Sequence, residues 1–206
     1  MERTAPVVSC SRLRMATDGP GVTTLVCFHG CPLRCKWCIN AFSFAPDTPR
    51  SRMTAQMLYD KVRQDELYFL ATGGGVTFGG GEPLLQAGFL AEFRRLCGKF
   101  WHLCAETSLA VPWENVALAA GCIDHFYIDC KDTDPQIYQR YTGQENSLML
   151  QNLEKLLALV GPQRITVRIP LIPEFNTPED QQRSQARLAA MGITSFDLFS
   201  YKIPKK

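Results

Sequence analysis

The feature that most constrains the fold of this chain is an alternation of strand-like and helix-like segments. Six short runs rich in β-branched and aromatic residues are typical of buried strands. They lie at residues 23–29, 76–78, 102–106, 125–129, 165–169 and 195–199. Because strand–helix–strand units place successive strands parallel with a right-handed crossover, the alternation predicts a parallel α/β sheet.

Polar caps give the clearest helix signals. Thr54 is predicted to cap a helix that runs to about Leu70. The string TPED at 177–180 provides an N-cap, an N1 proline and an acidic N3 residue, which predicts a helix to Ala190. Six strand–helix repeats fall short of the eight in a closed barrel, so we predict an open, partial (β/α)6 barrel. A doubly wound sheet is the alternative, because periodicity alone does not separate the two.

Length and charge limit the classes of protein that remain. A chain of 206 residues can bury one substantial core, and we expect a single domain over residues 1–206. The net charge is only +2 with scattered Lys and Arg residues, so we expect no nucleic-acid partner. The sequence shows no membrane-spanning apolar run and no signal-peptide pattern, which predicts a cytoplasmic protein without a membrane partner.

The nine cysteines are unevenly distributed along the chain. Cys27, Cys31, Cys35 and Cys38 fall within twelve residues. An odd count without a secretory signal argues against a disulfide framework and favours metal or redox use. The spacings of four and three residues would place the last three of these thiols on one face of a helical turn, so they can share one metal centre.

Two kinds of metal centre fit these thiols. An iron–sulfur cubane normally takes four thiolates, so Cys31, Cys35 and Cys38 alone would leave one iron open to a small molecule. Alternatively, Cys27 completes a four-cysteine zinc site. Cys27 lies within the predicted strand, where its side chain packs on one face of the sheet, and this favours the iron–sulfur interpretation. We predict one cluster only.

Further polar motifs follow the predicted strands at the edge where parallel α/β folds build their sites. Gly80 and Gly81 lack side chains and let the backbone approach a ligand, and Glu82 can accept a hydrogen bond from an ammonium group. A plain strand-to-helix turn is the alternative. Asp129 and Lys131 are two residues apart, so their side chains share one face at a strand end.

Several ordered motifs resemble one enzyme family. DGPGVTTLVCFHGCPLRCKWCIN, at residues 18–40, carries the C-x3-C-x2-C spacing, and GGGVTFGGGEPLLQ follows it. ETS, IDCK, YTG and RIPLIPEFN come later in the chain. Over residues 18–176 the sequence therefore resembles the glycyl radical enzyme activases, a branch of the radical S-adenosylmethionine (SAM) superfamily.

The resemblance implies a partial barrel of the radical SAM kind and a specific chemistry. One [4Fe–4S] cluster on Cys31, Cys35 and Cys38 would bind SAM at its open iron and cleave it reductively. The resulting 5′-deoxyadenosyl radical would remove a hydrogen atom from a glycine of a partner glycyl radical enzyme. Flavodoxin or ferredoxin would supply the electron.

The resemblance also implies roles for residues in contact with SAM. Lys131 would pair with the SAM carboxylate, and Asp129 would orient Lys131. Glu106 and Ser108 would lie near the ribose and a monovalent-cation site, and Arg168 would bind the SAM carboxylate or the peptide. The whole predicted set is Trp37, Cys38, Ile39, Gly80, Gly81, Glu82, Glu106, Ser108, Asp129, Lys131, Arg168 and Lys202.

Three departures from the family pattern affect the expectations. Trp37 and Ile39 match positions that pack around adenine, but Lys202 replaces a histidine that contacts adenine in the family. The family's P-G-F-N is PEFN at 173–176 here, and Thr23 replaces an arginine. The sequence therefore leaves adenine binding and partner recognition less defined than the cluster.

Two other functions remain as alternatives. The first is a radical SAM enzyme that acts on a small molecule, like 7-carboxy-7-deazaguanine synthase. The second is a non-catalytic interaction module stabilised by zinc. The sequence does not identify the partner enzyme, the physiological electron donor or the oligomeric state.

Overall fold

The computed structural model describes residues 3–15 and 17–201. The strands are β1 (Thr4–Met15), β2 (Val22–Phe28), β3 (Ser51–Thr54), β4 (Gly75–Gly80), β5 (His102–Thr107), β6 (His125–Asp129), β7 (Ile165–Leu171) and β8 (Phe196–Ser200). The α-helices are α1 (Ala55–Val62), α2 (Glu66–Thr72), α3 (Ala87–Cys97), α4 (Trp113–Ala120), α5 (Pro135–Thr142), α6 (Ser147–Val160) and α7 (Pro178–Ala190). Short 3₁₀ turns cover Ala41–Phe44, Arg63–Asp65, Pro83–Gln86 and Pro162–Arg164.

The six strands predicted from the sequence are all present, as β2 and β4 to β8. The strand order is β3-β1-β2-β4-β5-β6-β7-β8 in an open eight-stranded sheet. The pairs β2–β4, β4–β5 and β7–β8 are parallel. The predicted α/β class and the open, partial barrel are confirmed.

Two antiparallel strands were not predicted. β1 pairs with β2, and β3 pairs with β1. In β1 only Ala5 and Val7 are buried, and no residue in its second half is buried. β3 has four residues. Neither segment buries enough alternate positions to produce a strand-like pattern, because antiparallel edges of a sheet are partly exposed to water.

The predicted helix caps form. The hydroxyl of Thr54 accepts a hydrogen bond from the backbone N–H of Met57 at 3.2 Å. The helix that Thr54 begins is interrupted by the 3₁₀ turn Arg63–Asp65, which the periodicity did not reveal. Thr177 and Asp180 form a reciprocal capping box at the start of α7, and that helix ends at Ala190 as predicted.

The described residues divide into two compact units. The first unit covers residues 1–31, 40–107 and 112–126, and the second covers 32–39, 108–111 and 127–206, apart from the undescribed positions 1, 2, 16 and 202–206. A single domain over the whole chain stays a prediction. No helix within residues 3–15 or 17–201 is both long enough and apolar enough to cross a membrane.

The core of the first unit is built around Trp101, which is fully buried. Its ring lies 5.1 Å from that of Phe69 and 5.2 Å from that of Tyr59, and its indole N–H donates to Glu66 at 3.1 Å. Aromatic rings at such distances add to the free energy gained from burial alone. This packing fixes α1 and α2 against the sheet of the first unit.

Candidate functional site

The glycine turn at the end of β4 belongs to the first unit. Gly80 has φ +89, and a Cβ there would lie 2.6 Å from the Cβ of Cys27. A Cβ on Gly81 would lie 2.1 Å from the carbonyl oxygen of Gly30. Both positions therefore require glycine because the neighbouring backbone comes so close, apart from any ligand.

Glu82 follows this turn and is buried, with 1% exposure. Its Oε1 accepts hydrogen bonds from the backbone N–H of Leu84 at 3.1 Å and from the hydroxyl of Thr107 at 2.6 Å. The carboxylate thereby caps the 3₁₀ turn Pro83–Gln86. The alternative given by the sequence, a strand-to-helix turn, accounts for these contacts; a role for Glu82 in binding SAM stays a prediction.

Glu106 and Ser108 lie on either side of the boundary between the units. Glu106, in the first unit, is half-buried, and its Oε2 would lie 3.1 Å from a Cβ on Gly79. Ser108, in the second unit, is buried, and its Oγ accepts a hydrogen bond from the backbone N–H of Ala110 at 3.3 Å.

None of the predicted metal ligands Cys31, Cys35 and Cys38 is in a disulfide. Cys31 ends one segment of the first unit, whereas Cys35 and Cys38 belong to the second, and all three are half-buried. Within the described ranges, no group of three or more His, Cys, Asp or Glu side chains is arranged to hold a metal ion. The ligand set Cys31, Cys35 and Cys38 therefore remains a prediction from the sequence.

The segment that carries Cys35 and Cys38 is attached to the end of α5. The backbone N–H of Arg34 donates to the carbonyl of Thr142 at 2.8 Å, and that of Lys36 donates to the carbonyl of Tyr141 at 3.1 Å. These carbonyls belong to the YTG motif. Sequence reasoning used YTG only as part of a resemblance and gave it no structural role.

Lys131, in the second unit, is a buried charged residue with 8% exposure. Its Nζ lies 3.1 Å from Oδ2 of Asp129 and donates to the hydroxyl of Tyr201 at 3.0 Å. Burial lowers the pKa of Lys131, but Asp129, Tyr201 and Cys35 outweigh it and raise the pKa well above 10.5. The ammonium group is therefore fully charged at neutral pH.

Cys35 lies close enough to Lys131 for the two groups to interact electrostatically. Burial raises the pKa of the Cys35 thiol to about 11, although Lys131 acts to lower it. A bound metal ion would deprotonate such a thiol outright. The second unit thus combines a thiol of the cysteine motif, Cys35, with a buried cation, Lys131.

A buried polar network behind Lys131 was missed by the sequence analysis. Asp132 is 1% exposed and accepts hydrogen bonds from Asn176 Nδ2 and Ser184 Oγ, both at 3.1 Å. Asn176 Oδ1 in turn accepts the backbone N–H of Ile172 at 2.6 Å. Burial raises the pKa of Asp132, and its hydrogen bonds oppose that rise. Asn176, which the sequence associated with partner recognition, therefore ties β7 to the end of β6.

Arg168 lies within β7, at its fourth residue, and its side chain is 15% exposed. The guanidinium lies over the ring of Tyr127 at 4.6 Å, and Nε lies 3.6 Å from Asp197 Oδ2 on the paired strand β8. The predicted contact of Arg168 with SAM would have to coexist with this stacking. Lys202 lies outside the described residues.

Trp37 and Ile39 flank Cys38 in the second unit and differ in exposure. The indole Nε1 of Trp37 is buried and has no hydrogen-bond partner among residues 3–15 and 17–201. Buried polar atoms are almost always paired, so this donor is available for a ligand acceptor. Ile39 is 88% exposed and covers nothing within its unit.

Comparisons with known proteins identify the family. Residues 25–181 match the radical SAM superfamily. The (2S)-3-sulfopropanediol dehydratase activating enzyme of Klebsiella oxytoca is 31% identical over 77% of this chain and 69% of its own length. The pyruvate formate-lyase-activating enzyme of Staphylococcus aureus is 31% identical over 79% of this chain and 67% of its own length. Streptococcus suis SuiB bound to S-adenosylmethionine has a similar fold, with a TM-score of 0.64 at 16% identity, over 84% of this chain and 39% of that one.

The chain belongs to the radical SAM superfamily and, within it, to the glycyl radical enzyme activating enzymes. It is therefore an enzyme that cleaves SAM and generates a glycyl radical. The two alternatives from the sequence, a small-molecule radical SAM enzyme and a zinc module, are not favoured.

Proposed function

We propose that this chain binds one [4Fe–4S] cluster through Cys31, Cys35 and Cys38, and uses SAM to remove a hydrogen atom from a glycine of one partner glycyl radical enzyme. The observation that carries this proposal is the buried ammonium of Lys131 beside Cys35. A carboxylate that binds next to a thiolate-held metal needs a fixed cation, and Lys131 provides one.

The residues present fit both the cluster and SAM. The three cysteines are outside any disulfide, and thiolates are the donors that iron–sulfur clusters require. The unpaired indole N–H of Trp37 fits an acceptor nitrogen of an adenine ring. When bound, the cluster supplies the single electron that splits the sulfonium of SAM into methionine and a 5′-deoxyadenosyl radical.

Lys131 and Asp129 would act as a pair in the second unit. Lys131 would hold the SAM carboxylate by a charge-assisted hydrogen bond. Asp129, whose side chain is 33% exposed, would keep the ammonium aimed and charged, and Tyr201 would cover it on one side. Burial of this group excludes water and strengthens its attraction for a carboxylate.

The remaining proposed contacts, with SAM and with a monovalent cation, rest on different observations. Gly80, Gly81 and Glu82 form a rigid turn of the first unit that would expose backbone groups to SAM. The carboxylate of Glu106 is the proposed ligand for a monovalent cation, since such ions prefer oxygen donors. Ser108 and Arg168 stay proposed contacts to the ribose and to a carboxylate.

We assign electron donation to flavodoxin or ferredoxin on electrostatic grounds. Arg34 and Lys36 are exposed on either side of Cys35. Two cations next to the proposed cluster would steer an acidic donor towards it, and such steering weakens with ionic strength.

The test is SAM cleavage after anaerobic reconstitution with iron and sulfide and reduction by dithionite. We expect the wild type to form 5′-deoxyadenosine and Cys35→Ala to form none. Cys10→Ala is the matched control, because Cys10 is also a half-buried cysteine outside any disulfide, but it lies on β1 and is not part of the C-x3-C-x2-C motif. Equal product from Cys35→Ala and Cys10→Ala would exclude the proposed site.

A further inference from the structure

The end of α5 makes hydrogen bonds that a helix end cannot make by itself. The last carbonyls of a helix lack partners within the helix and must find them elsewhere. Here the carbonyls of Tyr141 and Thr142 accept the backbone N–H groups of Lys36 and Arg34, at 3.1 and 2.8 Å. The helix end is thus completed by the segment that carries Cys35.

These two hydrogen bonds lie on either side of Cys35 in the sequence. A third one, from the N–H of Cys38 to the carbonyl of Cys35 at 3.3 Å, closes a turn between the two cysteines. Lys36 is the second residue of that turn. The backbone position of Cys35 is therefore set by α5 and by this turn together.

The helix end is itself rigid. Gly143 has φ +77 and donates its N–H to the carbonyl of Gln139 at 2.8 Å, which terminates α5 in the left-handed conformation. The hydroxyl of Thr142, a fully buried residue, donates to the carbonyl of Tyr138 at 2.8 Å. Neither residue can shift without losing one of these contacts.

The same helix end also packs against the residues that hold Lys131. The ring of Tyr141 lies 5.0 Å from that of Phe175 and 6.3 Å from that of Tyr201. Tyr201 accepts the hydrogen bond from Lys131. One turn of helix therefore contacts both the cysteine segment and the support of the buried cation.

We infer that Tyr141–Gly143 is a positioning element for the reaction, which fixes Cys35 relative to Lys131 through the carbonyls of Tyr141 and Thr142. This inference rests on the proposed function, because the geometry matters only if Cys35 holds the cluster and Lys131 holds the SAM carboxylate. None of these three residues is expected to touch SAM.

The first test removes one hydrogen-bond donor and leaves the turn intact. Proline lacks a backbone N–H and is favoured at the second position of such turns, so Lys36→Pro deletes the donor to Tyr141 without opposing the turn. Lys36→Ala is the matched control, since it removes the same side-chain charge and keeps the N–H.

The measurements are iron content, the electron paramagnetic resonance signal of the reduced protein titrated with SAM, and the melting temperature of the metal-free protein. We expect Lys36→Pro to need on the order of tenfold more SAM than Lys36→Ala for the same spectral change. We expect the metal-free melting temperature of Lys36→Pro to lie only a few degrees below that of Lys36→Ala, because a single hydrogen bond contributes about 1 kcal/mol to stability.

The second test disturbs the helix end without altering the cysteine segment. A Cβ at Gly143 would meet only the Cβ of Arg34, at 4.0 Å, so the Cβ itself causes no steric overlap and the left-handed backbone is the main constraint. Asparagine tolerates the left-handed conformation, whereas β-branched valine does not. We expect Gly143→Val to weaken the SAM response severalfold more than Gly143→Asn does.

The outcomes separate this inference from the proposed function. A wild type that shows no SAM-dependent signal overturns both. A responsive wild type with equal SAM titrations for Lys36→Pro and Lys36→Ala overturns the positioning role alone. If Lys36→Pro does not fold, the Gly143 pair decides: equal responses of the valine and asparagine variants overturn the inference, and a weaker valine response supports it.

Discussion

Glu82 in the first unit and Lys131 in the second are both buried charged residues at the end of a strand, yet they are held in different ways. The carboxylate of Glu82 accepts hydrogen bonds from a backbone N–H and from the hydroxyl of Thr107. Lys131 is held by the side chains of Asp129 and Tyr201, and Asp129 is 33% exposed. The first arrangement closes a turn, whereas the second keeps a cation next to a partly open carboxylate.

This difference distinguishes a residue that stabilises the fold from a residue that is proposed to bind SAM. The motifs GGGEP and IDCK both follow a predicted strand in the sequence. In the structure the first stabilises a turn, whereas the second holds a buried cation. Around Glu82, substitutions should act mainly on the free energy of unfolding. Around Lys131, they should act mainly on the response to SAM. The following predictions test that division, beginning with the largest effect.

Gly80→Ala should give the largest loss of stability. The new Cβ would lie 2.6 Å from the Cβ of Cys27, at a backbone φ of +89. Steric overlap and strain together should lower the free energy of unfolding by about 4 kcal/mol. Urea denaturation of the metal-free protein measures this change.

Gly73→Ala is the control for Gly80→Ala. Gly73 also has a positive φ, of +70, but a Cβ there would meet nothing within 4 Å. We expect a cost of about 1 kcal/mol, from backbone strain alone. Equal losses for the two variants would mean that the close approach of β2 is not what requires glycine at Gly80.

Lys131→Met should leave the fold intact and weaken the binding of SAM. Removing a buried cation from a carboxylate site costs about 3 kcal/mol, which corresponds to about a hundredfold in SAM affinity. Asp129 is exposed enough to remain solvated, so the melting temperature should change little. Titration of the reduced protein with SAM, followed by electron paramagnetic resonance, measures the affinity.

Two controls make the Lys131 result specific. Lys61→Met removes an exposed lysine from α1 and should leave SAM affinity unchanged. The pKa of Lys131 in the folded protein is raised well above 10.5. The charged ammonium group therefore contributes fully to stability below pH 10.5, and this contribution is lost only when the pH rises through the folded-state pKa. Its effect on SAM binding should therefore be constant between about pH 7 and 9, and a decline in that window would contradict the assignment.

The sequence could predict those parts of the site that depend on the spacing of residues close together in the chain. Cys31, Cys35 and Cys38 stand in a short motif, and the two-residue spacing of Asp129 and Lys131 already implies one face of a strand. The contacts between Tyr141 and Lys36 and between Asn176 and Asp132 join residues far apart in the chain. Such contacts leave no periodic signal, because they form only when the strands and helices pack.

The fold shows the same limit. The parallel strands are short runs rich in β-branched and aromatic residues, so β2 and β4 to β8 could be recognised. β1 was missed because Arg12 and Arg14 interrupt its apolar pattern. Nε of Arg12 donates a hydrogen bond to Oδ2 of the fully buried Asp65 at 2.8 Å. The positive charge that interrupts the apolar pattern of β1 is therefore neutralised by a residue far away in the sequence.

Thr107→Val should lower stability without altering the response to SAM. The variant keeps the shape of the side chain but removes the hydroxyl that donates to Glu82 at 2.6 Å. Losing a hydrogen bond to a buried carboxylate should lower the free energy of unfolding by about 2 kcal/mol. Thr107→Ser, which keeps the hydroxyl, should lose less than half of that. A hundredfold loss of SAM affinity in Thr107→Val would show that the hydrogen-bonded side chain of Glu82, and not only the backbone of its turn, contributes to SAM binding.

Glu174→Gly should have the smallest effect, and it should be stabilising. Glu174 has φ +71, although it is not a glycine, and the carbonyl of Ile172 accepts the next backbone N–H groups at 3.0 and 3.1 Å, which fixes the turn. Glycine relieves about 1 kcal/mol of left-handed strain but gains freedom in the unfolded chain, so the net gain should be about 0.5 kcal/mol. Glu179→Gly, in the first turn of α7, removes the same side chain from a helical position and should cost about 1 kcal/mol. Opposite signs in urea denaturation would show that the left-handed backbone of Glu174 is strained. A loss of stability in both variants would mean that the Glu174 side chain contributes more than its backbone conformation costs.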